Sequence, residues 1–184
     1  MAVLLTFIAA NLLFIISCLP FVTIPAAIAA LFGVARKVAR GEEPQVWPTF
    51  WRSFSENFWQ SSLIGIGIFI LSCLYWIDQR AVSLTRVGQL GNVENFVLTG
   101  MGLVALMVIL HIFPIMVHMK LKIRHIIRNA MILTVTRPLL SLANGIIIVF
   151  LLYLCERAPL LFFIFYFSVS ATITYWFVEK KWAP

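Results

Sequence analysis

The sequence predicts an all-α, polytopic membrane helical bundle, with five transmembrane helices (the first broken by prolines) plus interfacial amphipathic helices. Three observations carry this prediction. Apolar residues make up 62% of the 184 positions and charged residues only 11%, against about 45–50% and about 25% in soluble domains. Runs free of Asp, Glu, Lys and Arg recur at the length a helix needs to cross hydrocarbon, about 20 residues. Ten of the fourteen lysines and arginines fall in three short segments that punctuate those runs, Arg36 to Arg52, Lys120 to Arg128, and Lys180 to Lys181. At this length the chain reads as a single integral membrane domain over 1–184.

The first run, Met1 to Ala35, is longer than one crossing requires and carries Pro20 and Pro25 around Phe21-Val-Thr-Ile. Proline removes a backbone donor and disfavours helix in the residue before it, so the run is expected to kink or break there. As one broken crossing it gives five spans; if it turns back on itself, the start of the chain changes sides. It lacks the positive leader and cleavage pattern of a signal peptide, so it is expected to be retained. The second run is Phe58 to Ile77, the third Phe96 to Met119 and the fourth Leu139 to Cys155. The fifth is Ala158 to Val178, entered through Glu156 and Arg157. Connections this short make successive helices antiparallel neighbours.

Two segments are amphipathic. Trp47, Phe50, Trp51, Phe54 and Phe58 recur at three- and four-residue intervals, with Arg52, Ser53, Glu56 and Asn57 largely on the other side. That pattern predicts a helix lying in the membrane interface. Leu121, Ile123, Ile126 and Ile127 alternate with Lys120, Lys122, Arg124 and Arg128, a basic stretch of the same kind between spans three and four. Either segment can rest on lipid or face a cytoplasmic partner.

The basic loops set the orientation, because short loops rich in Lys and Arg stay in the cytoplasm. The loops after the first and third spans and the C-terminus are therefore expected to be cytoplasmic. The net charge of +7 is read as attraction to anionic lipid headgroups rather than to nucleic acid.

Chemistry is sparse. Cys18, Cys73 and Cys155 lie far apart within apolar runs and read as packing residues. His111, His118 and His125 recur every seven residues, about 10.5 Å of helix rise, too far for two of them to hold one metal. No metal or cofactor is expected. Arg137 is ionisable near a span, but Pro138 after it is suited to the first turn of a helix, which makes Arg137 a boundary residue. All seven acids lie in loops or at the edges of runs, so the buried carboxylate of an ion-driven transporter is missing. There is no phosphate loop and no nucleophile elbow, and no catalytic residues are assigned. Packing is better represented. Ser61 with Gly65, and Ser141 with Gly145, are small residues four apart, which lets helices approach closely in lipid. Asn11, Asn144 and His111 are polar handles within apolar runs.

Asn11-Leu-Leu-Phe, Phe21-Val-Thr-Ile-Pro-Ala-Ala-Ile-Ala-Ala-Leu-Phe-Gly-Val-Ala-Arg-Lys, Gly41-Glu-Glu and Phe50-Trp-Arg-Ser-Phe-Ser-Glu-Asn-Phe-Trp-Gln resemble the YesL family of bacterial integral membrane proteins, a domain of unknown function. The Arg137-Pro-Leu step resembles it too. The resemblance is specific over residues 11 to 60 and rests on hydropathy beyond. It implies a multi-pass protein of the bacterial cell membrane, found near carbohydrate uptake transporters and their sensors, and it supplies no catalytic residues.

The resulting expectation is a non-enzymatic accessory protein of carbohydrate uptake, associated with the permease subunits of an ABC importer or with a sensor kinase. The contact surface would be Arg36, Lys37, Arg52 and the aromatic row Trp47 to Phe58, with Lys120, Lys122, Arg124 and Arg128. The rival readings are a small stand-alone transporter or channel, and a membrane enzyme acting on a lipid-linked substrate.

Overall fold

Pro20 and Pro25 divide the first apolar run into α1 (Ala2–Ser17) and α2 (Ile24–Ala39), joined through a single 3-10 turn at Phe21–Thr23. A computed structural model describes residues 2–84, 89–119, 121–157 and 165–182 of the chain. In it α1 and α2 do not form one kinked crossing. Phe7 and Ala10 of α1 share a seam with Leu31, Val34, Ala35 and Val38 of α2, so the two helices fold back antiparallel. This corrects the single broken span expected from the sequence. The physical reason lies in the turn, where Pro25 sits in the first turn of α2, a position that needs no backbone donor. The hydroxyl of Thr23 lies 2.6 Å from both the Ser17 and the Pro20 carbonyl oxygens and serves acceptors that the break leaves without helical partners. The tip is apolar, with Leu19, Phe21 and Val22 exposed.

The second run and the aromatic row are one helix, α3 (Val46–Leu84), of 39 residues and about 58 Å at 1.5 Å per residue. The separate in-plane helix expected around Trp47 to Phe58 is thus corrected. No proline follows Pro48 in this stretch, and Arg52 bridges to Glu56 one turn on at 2.8 Å, so nothing stops the helix before it enters the apolar run. It packs antiparallel on α2. Gly33 faces Ser53 and Gly65 faces Pro25, with no room for a β-carbon at either glycine, the close approach that small residues permit in lipid.

Helix α4 (Gln89–Met119) returns along α3, its Gly102 against the ring of Tyr75. Past its end, Gln60 Nε2 donates to the Leu121 carbonyl at 2.6 Å. Helix α5 (Ile123–Thr136) buries Ile126, Ala130, Leu133 and Thr134, while Lys122, Arg124 and Arg128 are exposed. Here the sequence pattern and the structure agree on a separate amphipathic helix. It meets α6 (Pro138–Arg157) at 98°. Pro138 opens α6, and Arg137 is exposed at the joint with Nη1 3.4 Å from the Lys180 carbonyl. Arg137 is therefore a boundary residue and not a charge inside the bundle. Helix α7 (Phe167–Trp182) closes the fold; residues 158–164 of the fifth predicted run lie outside the described residues.

Among the described residues all regular structure is helical. By length and composition three helices can cross a membrane, Phe21–Ala39, Val46–Ala81 and Val93–Met119, and a fourth if the bent pair Ile123–Thr136 and Pro138–Leu154 is one span. The chain is a multi-pass membrane bundle, and among the described residues three or four spans meet that test. Its core is one-sided. None of residues 65–81 of α3 or 93–110 of α4 is buried, while Phe50, Asn57, Ser61, Ile64 and all of 111–117 are.

Candidate functional site at the basic end of the bundle

The three basic segments meet in space. Arg36 Nη1 donates to the Val117 carbonyl at 2.9 Å, Arg40 pairs with Glu179 at 3.0 Å, and Arg137 reaches Lys180. Helix ends from α2, α3, α4, α6 and α7 thus share one basic end. The hydrogen bond to Glu179 raises the already high pKa of the Arg40 guanidinium, so Arg40 keeps its charge at any working pH.

Between α2 and α3 this end holds an open cavity of about 610 Å³. Its α2 wall carries Gly33, Arg36, Lys37 and Arg40, and its α3 wall carries Thr49, Ser53 and Asn57, one turn apart, with Arg52 and Glu56 beside them. The connecting segment adds Glu42, Glu43, Pro44 and Gln45. Gly33 matters because its bare backbone admits the Ser53 hydroxyl. Lys37 Nζ lies 3.3 Å from Thr49 Oγ1, and Asn57 Nδ2 donates to the Ser53 carbonyl at 2.8 Å. Arg36 and Lys37 are half-buried, whereas Arg40, Arg52, Glu42, Glu43 and Glu56 are exposed at the rim.

Of the residues singled out in the sequence, Arg36, Lys37 and Arg52 come together here. The aromatic row does not enter the cavity. Phe50 is fully buried, Trp47 and Trp51 are exposed, and Trp51 makes edge contacts with Trp47, Phe50 and Phe54. Phe54 in turn stacks on Phe58. Lys122, Arg124 and Arg128 lie on the outer face of α5, and Lys120 falls outside the described residues. Thr49, Ser53 and Asn57 were the cavity residues hardest to find; their four-residue spacing opposite the rings was the available signal.

The polar handles form a second system inside the bundle. Asn11, fully buried, accepts from the backbone N–H of Ser168 at 3.2 Å and lies 3.4 Å from its hydroxyl. Asn144 accepts from Thr174 at 3.3 Å, and its Nδ2 has no partner among the described residues. Both thus tie α7 to other helices. His111 is buried against the Met107 carbonyl at 2.6 Å. His118 lies 2.7 Å from the Tyr175 hydroxyl, and His125 is exposed. Among the described residues no three of His, Cys, Asp and Glu gather as metal ligands. Ser141 is buried, while a β-carbon at Gly145 meets nothing within 4 Å among the described residues.

Residues 7–79 match the family described as "Protein of unknown function, DUF624". Over 140 residues the chain is 29% identical to the uncharacterized protein YesL of Bacillus subtilis (strain 168), covering 74% of this chain and 65% of that one. Over that span the chain is similar to the YesL family. It is also 29% identical over 149 residues to the uncharacterized protein YteU of the same organism, covering 78% of this chain and 64% of that one. The matches thus span less than two thirds of the length of these curated YesL-family relatives. No solved structure matches the chain. The segment that matches the family contains every cavity residue except Val117.

Proposed function

We propose that this chain is a non-enzymatic accessory subunit of a bacterial membrane assembly, with its basic end in the cytoplasm. The single observation behind this reading is the bareness of the two longest helices. Their distal halves carry large apolar side chains such as Phe69, 70% exposed, and Phe96, 82% exposed, and α6 adds Ile146, Val149 and Phe150. Lipid can cover such faces, but three adjoining helices with so little packing of their own also suit the helices of another subunit, where van der Waals fit drives association. The partner we favour is the permease part of a carbohydrate ABC importer or its sensor kinase, as the family resemblance implies.

The test is cross-linking in intact cells followed by purification of the tagged full chain in mild detergent. Co-isolation of a permease or kinase subunit is expected. Recovery of the chain alone from cross-linked membranes would refute the reading.

A further inference from the structure

We infer that the cavity between α2 and α3 binds the phosphate of a hydroxylated phosphate ester, either a lipid headgroup of the glycerophosphate kind or a free polyol phosphate. This goes beyond the accessory role and does not depend on it. Arg36 and Lys37 carry the inference. They are neighbours on the last turn of α2, half-buried, and both line the cavity. Their recorded partners are neutral, the Val117 carbonyl and the Thr49 hydroxyl. The carboxylates that pair at this end are engaged elsewhere, Glu179 by Arg40 and Glu56 by Arg52. Among the described residues neither cation has an ion pair, Glu42 and Glu43 standing at the exposed rim of the same cavity, so both are open to an anion from outside.

Phosphate fits the donors on offer. The bond to Val117 fixes the Arg36 guanidinium and leaves further N–H groups for a fork-like contact, which suits tetrahedral oxyanions. Lys37 adds a point charge, and Thr49 and Ser53 add hydroxyl donors on the facing wall. At about 610 Å³ the space is that of a small-molecule site, larger than phosphate alone requires. The remaining wall holds Glu42 and Glu43, acceptors that would take hydroxyl groups and repel a second anionic group. The combination selects a single phosphate joined to a polyol.

The experiment uses the full chain in a maltoside detergent, which carries no phosphate, with two probes. Glycerol 3-phosphate is titrated by calorimetry, and phosphatidylglycerol is added in mixed micelles and its retention read by native mass spectrometry. The cavity variants are Arg36→Gln, Lys37→Met and, should the charge variants fail to fold, Thr49→Val. Arg80→Gln and Arg157→Gln, near the C-terminal ends of α3 and α6 and away from the cavity, are the controls. Saturable binding of either probe is expected, weakened about tenfold or more in the Arg36 and Lys37 variants and unchanged in the controls. Binding of the soluble probe assigns a free metabolite, and retention of the lipid alone assigns a headgroup. No saturable binding of either probe, or equal loss in the controls, overturns the inference.

Discussion

The side-chain oxygen of Asn11 in α1 accepts the backbone N–H of Ser168 in the first turn of α7, 157 residues away, at 3.2 Å. The Ser168 hydroxyl in turn donates to the Phe7 carbonyl at 2.9 Å. Both the backbone and the side chain of Ser168 thus bond to α1, a tie between helices far apart in sequence.

Replacing Asn11 by Leu is expected to destabilise the bundle by about 1 kcal/mol, the scale of an interhelical hydrogen bond in membrane. Thermal unfolding in detergent measures it. Hydrogen exchange at the start of α7 should rise at the same time. A variant as stable as the natural chain would show this tie to be incidental.

Close approach between α2 and α3 gives a second test. Gly65→Ala places a methyl against the rigid ring of Pro25 and should cost about 1–3 kcal/mol through forced separation of the helices. Gly145→Ala meets nothing within 4 Å, so it should be neutral or slightly stabilising through helix propensity, by up to about 1 kcal/mol. Melting curves of both variants, recorded together, decide the contrast.

Within the aromatic row the rings are not equivalent. Phe50 is 0% exposed and Trp47 64%, so Phe50→Ala should cost about 3–5 kcal/mol as a core truncation. Trp47→Ala should change stability by no more than about 0.5 kcal/mol, as surface substitutions do. Equal losses would place Phe50 outside the core.

Those rings mark the limit of what the sequence could say. Three- and four-residue spacing identifies a helix face but not the course of its axis, so the row that reads as a separate helix in the interface is the opening of α3, with Phe50 buried and Trp47 and Trp51 exposed. The proline break likewise located a bend at Pro20 without giving its angle. Asn11 and Asn144, by contrast, were legible as ties between helices, because an amide in an apolar run must find a partner in lipid. At the candidate site Arg36, Lys37 and Arg52 announced themselves through charge. Gly33 could not, since its importance exists only when Ser53 of the next helix is placed opposite.

Sidedness is a fourth prediction. In a chain with Cys18, Cys73 and Cys155 replaced by Ala, single cysteines at Glu42, Arg124 and Glu179 should react with an impermeant maleimide from the same face of the membrane. Arg80→Cys and Arg157→Cys should react from the opposite face. Labelling of positions 42 and 179 from opposite faces would contradict a shared basic end.

The reversal at Pro20 changes the parity of the chain. Because α1 doubles back along α2, the start of α1 lies at the same end as Arg40, and the Arg40–Glu179 pair brings the end of α7 there as well. A reporter fused before α1 and one fused after α7 would therefore sit in a single compartment. A segment attached at either terminus would be within reach of the same cavity.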